Sequence, residues 1–218
     1  IAIIVCFARY YHRIQTAEIQ NYKFILVPLI LLLIPCYLVV QQPDLGTSIL
    51  IAGTGIIIIW LAGLNIKYFV YSGLLLIVSL PFAVSFLKPY QKSRILTFFN
   101  PDRDPLGAGY QIIQSKIAIG SGGFFGKGFL KGTQSYLEFL PEKHTDFIFT
   151  LFSEEFGFLG SIILLLLYIL LIFRIIIIGF YSKSFFSKLF CFGFASGIFL
   201  YIFVNISMVL GLLPIVGA

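Results

Sequence analysis

The chain has 218 residues, of which 59% are hydrophobic and 11% charged, and its mean hydropathy is +1.01. A soluble domain carries about 25% charged residues, so soluble, fibrous and disordered classes are excluded and an integral membrane protein is expected. The net charge of +6, from 15 Lys and Arg against 9 Asp and Glu, is accounted for by cytoplasmic loops and lipid headgroups, and no nucleic-acid partner is implied.

The apolar residues fall in runs of about 18 or more, the length of helical spans rather than the ten-residue alternation of a barrel. The expected fold is all-α, a polytopic transmembrane helical bundle with a long extracytoplasmic loop carrying short amphipathic or re-entrant helices. The chain opens on Ile1 rather than Met and reads as an internal fragment. A partial span ends near Tyr11, and full spans are expected over residues 24–41, 47–64, 68–87, 147–173 and 189–212. They form one membrane domain over residues 1–218, with residues 88–146 as its large outer loop. Arg9, Arg13 and Lys23, then Lys67, then Arg174, Lys183 and Lys188 flank three connections, which the positive-inside tendency makes cytoplasmic. Cys6, Cys36 and Cys191 lie in apolar runs without metal-ligand spacing and read as inert thiols.

Asp44 follows Pro43 and precedes Leu45-Gly46-Thr47, so its first expected role is to cap the next helix; it is also a candidate substrate-binding carboxylate. The apolar pattern of residues 147–180 would run about 50 Å as one helix, against a hydrocarbon core of about 30 Å. Part of it must lie elsewhere. Asp146, Thr150 and Ser153 share a helical face, with Glu154 at its edge and Glu155 pointing away. Adjacent carboxylates facing lipid would be costly, so this half is expected to face a polar cavity or protein.

In the outer loop, Tyr110, Ile113 and Ile117 form an apolar stripe with Gln111, Gln114 and Ser115 off it, the pattern of a short interfacial helix. Glycines then crowd residues 120–132, interleaved with Phe124, Phe125, Lys127, Phe129 and Lys131. Gly122-Gly123-Phe124-Phe125-Gly126-Lys127-Gly128 superficially resembles a phosphate-cradling P-loop, but its spacing is one residue short and Gly128 stands where Ser or Thr is required. Lys127 and Lys131 suit a lipid phosphate, and equally suit plain solvated charge. The cluster Glu138-Phe139-Leu140-Pro141-Glu142-Lys143-His144-Thr145-Asp146 is either a charged, capped turn or the place of a general base acting on a lipid-linked substrate. Periodicity does not choose between them.

The stretch from Gly109-Tyr110-Gln111 through Gly120-Ser121-Gly122-Gly123, then Gly126-Lys127-Gly128, Gly132-Thr133-Gln134-Ser135 and Phe139-Leu140-Pro141-Glu142-Lys143-His144-Thr145-Asp146-Phe147 resembles the SEDS family. Gln42-Pro43-Asp44-Leu45-Gly46-Thr47, Asp102-Arg103-Asp104-Pro105 and Gly211-Leu212-Leu213-Pro214 extend the likeness over essentially the whole chain. The wording of residues 115–121 and 132–134 resembles the elongation type rather than the division type. The resemblance implies about ten spans in the intact protein, of which the first three and the last lie outside this chain, so the fragment alone is expected to be inactive. It implies a peptidoglycan glycosyltransferase of the bacterial cytoplasmic membrane, polymerising lipid II on the outer face beside a class B penicillin-binding protein. It implies Asp146 as the essential acidic residue.

On that reading, an acceptor hydroxyl attacks the anomeric carbon of a donor whose leaving group is undecaprenyl pyrophosphate, and Asp146 takes the proton. One carboxylate suffices for inversion because pyrophosphate leaves without a carboxylic acid to protonate it. Lys116, Lys127 and Lys131 are expected to offset its charge, together with a divalent cation, Mg or Mn, and no organic cofactor. Glu138 and Glu142 are candidates to orient substrate or metal. Two other readings use the same residues: a lipid II transporter, which predicts broken helices near the bilayer midplane and internal repeats, and a scaffold for the transpeptidase, in which Asp146 is only a cap.

Overall fold

The computed structural model describes residues 1–14, 22–42, 44–86, 92–93, 96–98, 100, 108–132 and 146–214. Its principal helices in chain order are α1 (Ala2–Tyr11), α2 (Tyr22–Gln41), α3 (Leu45–Leu61), α4 (Ile66–Phe86), α5 (Ala108–Gly122), α6 (Ile148–Tyr181) and α7 (Phe185–Val209). No strand occurs among the described residues, and the fold is an all-α helical membrane bundle. The Phe24–Gln41 stretch of α2, together with α6 and α7, is long and apolar enough to cross a membrane; α1, α3 and the Ile66–Ser79 part of α4 are shorter apolar helices. Both α3 and α4 begin two residues before their expected starts.

The chain divides into two compact units, one comprising Ile1–Phe86, Leu171–Tyr201 and Val216–Ala218, the other Leu87–Leu170 and Ile202–Ile215. In the first, Ile4, Phe7, Ala8 and Tyr11 recur at helical spacing along α1 and pack with Leu32 of α2, Ile58 and Ile59 of α3 and Leu189 of α7. Lipid is as apolar as these side chains, so close van der Waals fit rather than exclusion of water drives such packing. Small residues permit that fit. A Cβ on Gly193 would lie 2.8 Å from Ile58, and one on Gly197 would lie 3.4 Å from Thr54. Ser48 Oγ of α3 donates to the Cys36 carbonyl of α2 at 3.2 Å, which satisfies a hydroxyl that is otherwise buried.

In the second unit α5 forms where the interfacial helix was expected. It buries Gly109, Ile112, Ser115, Ala118 and Gly122, a face of mostly small residues. Ile117 stays 49% exposed. The small face packs on protein, Ile117 of the apolar stripe is left outward and Tyr110 and Ile113 are half-buried, an arrangement that suits a helix bordering lipid.

Candidate active site

The 34-residue helix α6 is broken. Gly157 has φ +68° and ψ −164°, a conformation open only to glycine. Residues 158–181 beyond the break run about 36 Å at 1.5 Å per residue, enough to cross the hydrocarbon alone. The excess length foreseen from the sequence is therefore placed in a separate short helix, residues 148–156, whose start carries Asp146.

A helix break leaves backbone groups without partners, and the glycine-rich segment after α5 supplies them. The N–H groups of Phe158 and Leu159 donate to the carbonyls of Gly123 and Phe124 at 2.9 and 3.1 Å. In the other direction, the N–H groups of Lys127 and Gly128 donate to the carbonyls of Glu154 and Glu155 at 3.1 and 2.9 Å. Residues 123–128 thus form a strap that repairs the break on both sides, as burial of backbone in a membrane protein requires. The close approach explains the glycines. A Cβ on Gly157 would run into the Gly126 nitrogen, and one on Gly126 into the Glu155 carbonyl. Gly123, at φ +57°, ends α5 in the left-handed conformation typical of a residue just past a helix.

Beneath the strap Glu154 is fully buried, and Lys127 Nζ meets its Oε1 at 2.7 Å, with the lysine side chain 27% exposed. Ser121 Oγ reaches the same oxygen at 3.5 Å. Gly132 lies against the other oxygen, where a Cβ would stand 2.9 Å away. Glu155, expected to point away from the polar face, is also buried, at 9% exposure, with Gly132 against its side chain. Ser161 Oγ donates to Ser153 Oγ at 3.0 Å, and Thr150 Oγ1 is buried with no hydrogen-bond partner among the described residues.

Asp146, half-buried, stands at the start of this assembly. The N–H of Thr150 donates to the Phe147 carbonyl at 3.0 Å, so Phe147 occupies the capping position and Asp146 lies one residue outside the helix. The Asp146 carbonyl accepts from Asn205 Nδ2 of α7 at 3.2 Å, which anchors the backbone that presents its carboxylate.

Residues 1–218 match the FtsW/RodA/SpoVE cell cycle proteins. The chain belongs to that family. It is 50% identical over 192 residues to the peptidoglycan glycosyltransferase MrdB of Escherichia coli K12, covering 88% of this chain and 52% of that protein. It is 49% identical over 135 residues to the peptidoglycan glycosyltransferase RodA of Treponema pallidum, covering 62% and 31%. Stage V sporulation protein E of Bacillus subtilis is 37% identical over 220 residues, covering 100% and 59%. A solved structure concerned with coordination of polymerization and crosslinking by a peptidoglycan synthase complex matches with a TM-score of 0.80 and 28% identity, over 99% of this chain and 59% of that one. The chain spans about half the length of the curated relatives it matches. Its apolar helices and its family make it a protein of the bacterial inner membrane.

Within this FtsW/RodA/SpoVE chain, the motif stretches separated in sequence meet in space. Ser115 Oγ donates to the Val209 carbonyl at 2.9 Å, and the end of the Lys116 side chain lies over Gly211, where a Cβ would meet its Nζ at 2.7 Å. Lys116 and Lys131 are exposed, whereas Lys127 is committed to Glu154. Asp44 accepts from the Thr47 N–H at 3.0 Å and caps α3. Glu138 and Glu142 lie outside the described residues. No group of three His, Cys, Asp or Glu side chains able to hold a metal occurs among the described residues, which supply no donor set for Mg or Mn. The break at Gly157 and the Lys127–Glu154 pair escaped the sequence reading. The available signal was the excess length of α6 beside a glycine-rich loop.

Proposed function

We propose that the full-length protein is a peptidoglycan glycosyltransferase that polymerises lipid II during cell elongation on the outer face of the bacterial cytoplasmic membrane, with Asp146 as general base. The observation that supports this reading is the position of Asp146: an acidic residue at the start of a short half-helix, its backbone anchored by Asn205 and its helix fixed by the strap. A base must be held in register with the proton it removes. An acceptor hydroxyl loses its proton to the Asp146 carboxylate as its oxygen bonds to the donor's anomeric carbon, and the bond to undecaprenyl pyrophosphate breaks with that group as leaving anion. Lys116 and Lys131, both exposed, are the residues that would meet the pyrophosphate charge, while Lys127 acts through Glu154. The curated relatives named as glycosyltransferases support the activity, and the likeness to a chain from a peptidoglycan synthase complex supports a class B penicillin-binding protein as partner.

One observation bears on the transporter reading, since α6 is a broken helix. A transporter break belongs near the bilayer midplane. Here a full membrane-crossing length follows the break, which puts Gly157 at the edge of the span. The deciding experiment is polymerisation of labelled lipid II by the full-length protein with its partner, comparing the parent with Asp146→Asn. Loss of at least about 100-fold in rate, the usual scale of general-base catalysis, with folding and complex intact, is expected. Parent-like polymerisation by the variant overturns the assignment.

A further inference from the structure

The turn between α6 and α7 carries a charge that the glycan chemistry does not use. Arg174 interrupts the apolar run of α6, seven residues before the helix ends at Tyr181, or about 10 Å inside it. With Gly157 at one edge, about 30 Å of hydrocarbon ends near residue 177, which leaves the guanidinium about 5 Å inside the boundary and in need of a polar partner or a headgroup. The sequence from Phe156 to Ala218 contains no Asp or Glu, and among the described residues no carboxylate pairs with Arg174. Instead Arg174 borders a groove of about 600 Å³ lined also by Ile178, Ser182, Phe186, Ser187 and Phe190.

The groove is built on fixed elements. Phe186 and Phe190 stack at 6.3 Å with rings 12° from parallel, and Phe190 stacks on Phe194 at 5.9 Å, so one wall is an aromatic ladder along α7. The other wall is held close because Gly179 has no side chain; a Cβ there would lie 3.0 Å from Cys191 and from Phe192. Lys183 and Lys188 add positive charge beside it, at a connection that the positive-inside tendency makes cytoplasmic.

We infer that this groove is a binding site for one anionic phospholipid of the inner leaflet. The phosphate pairs with Arg174 and accepts from the Ser187 hydroxyl, and from that of Ser182 once it turns from the Ser184 carbonyl 3.5 Å away, and an acyl chain lies along Ile178, Phe186 and Phe190. Charge complementarity selects the occupant: Arg174 is the one charged group in the lining, no acid faces it, and Lys183 and Lys188 follow in the adjoining connection, the pattern of basic headgroup pockets between transmembrane helices. A zwitterionic lipid brings its own cation into the same field and gains less.

The test uses the full-length protein in nanodiscs holding equal amounts of phosphatidylglycerol and phosphatidylcholine with matched chains, followed by mass spectrometry of the lipid retained on release. The parent is expected to retain phosphatidylglycerol about fivefold over phosphatidylcholine, the scale of one well-placed cation. Arg174→Gln brings the ratio close to one, Arg174→Lys keeps most of it, and Lys183→Gln, outside the groove, leaves it nearly unchanged. Ile178→Trp fills the groove and lowers retention of both lipids. An unchanged ratio in Arg174→Gln, or an equal drop in Lys183→Gln, overturns the proposal in favour of diffuse attraction to the surface. Should Arg174→Gln fail to fold, parent-like retention in Ile178→Trp overturns it equally.

Discussion

The α1–α3–α7 core and the strap over α6 are both buried, yet different forces hold them. In the first, Phe7, Ala8 and Ile58 are fully buried and make no directional bond through their side chains; glycines such as Gly193 set how near the helices come. In the second, four backbone hydrogen bonds and one buried ion pair join residues 123–128 to α6. Contacts of the first kind depend on volume and tolerate exchange among apolar residues of similar size. Contacts of the second kind depend on backbone shape and charge, and each loss leaves an unsatisfied group in a dry place. The precise half of this structure is the one that carries Asp146.

The largest effect is expected where shape alone is tested. Gly157→Ala meets both the cost of a left-handed residue and a collision with Gly126, together about 4 kcal/mol, read as equilibrium unfolding of the full-length protein in mixed micelles. A cost below about 1 kcal/mol would show that the strap adapts and is not a precise fit.

The ion pair should respond asymmetrically. Lys127→Ala leaves the Glu154 carboxylate charged and buried, at about 3 kcal/mol, whereas in Glu154→Gln the lysine, already part-exposed, turns to water at about 1 kcal/mol. The double variant Lys127→Ala with Glu154→Gln is expected to recover most of the loss from Lys127→Ala. Equal costs for the two single changes would mean that both groups reach water. In the apolar core, Phe7→Ala is expected to cost about 2 kcal/mol, essentially a cavity term, since lipid offers the released ring a comparable environment. A cost exceeding that of Lys127→Ala would reverse the ranking of the two regions.

How much of this was legible in the sequence follows the same division. Spans are a property of local composition, so α2, α3, α4 and α7 were placed within a few residues from hydropathy alone. The excess length of α6 was a matter of counting. The break itself was hidden, because Gly157 is one glycine among several and its conformation is fixed by partners at residues 123–128, about thirty positions earlier. Lys127 was hidden for a related reason: next to glycines and phenylalanines it reads equally as a phosphate ligand or as solvated charge, and only the fold brings the Glu154 carboxylate to it. The role proposed for Asp146 rests on resemblance, since cap and base share the same local pattern.

Asp44 is the opposite case, a residue whose local role was legible and whose second role is still to be separated. Its carboxylate accepts from the Thr47 N–H three positions on, and Asp44→Ala is expected to cost about 1 kcal/mol, the ordinary worth of such a cap. Ser keeps an oxygen in capping position without the charge. If Asp44→Ser restores both stability and lipid II polymerisation, the residue belongs with the first region, where local fit is sufficient. If Asp44→Ser restores stability while polymerisation stays low, its charge acts on substrate, and Asp44 joins Asp146 among the residues whose position the chemistry demands.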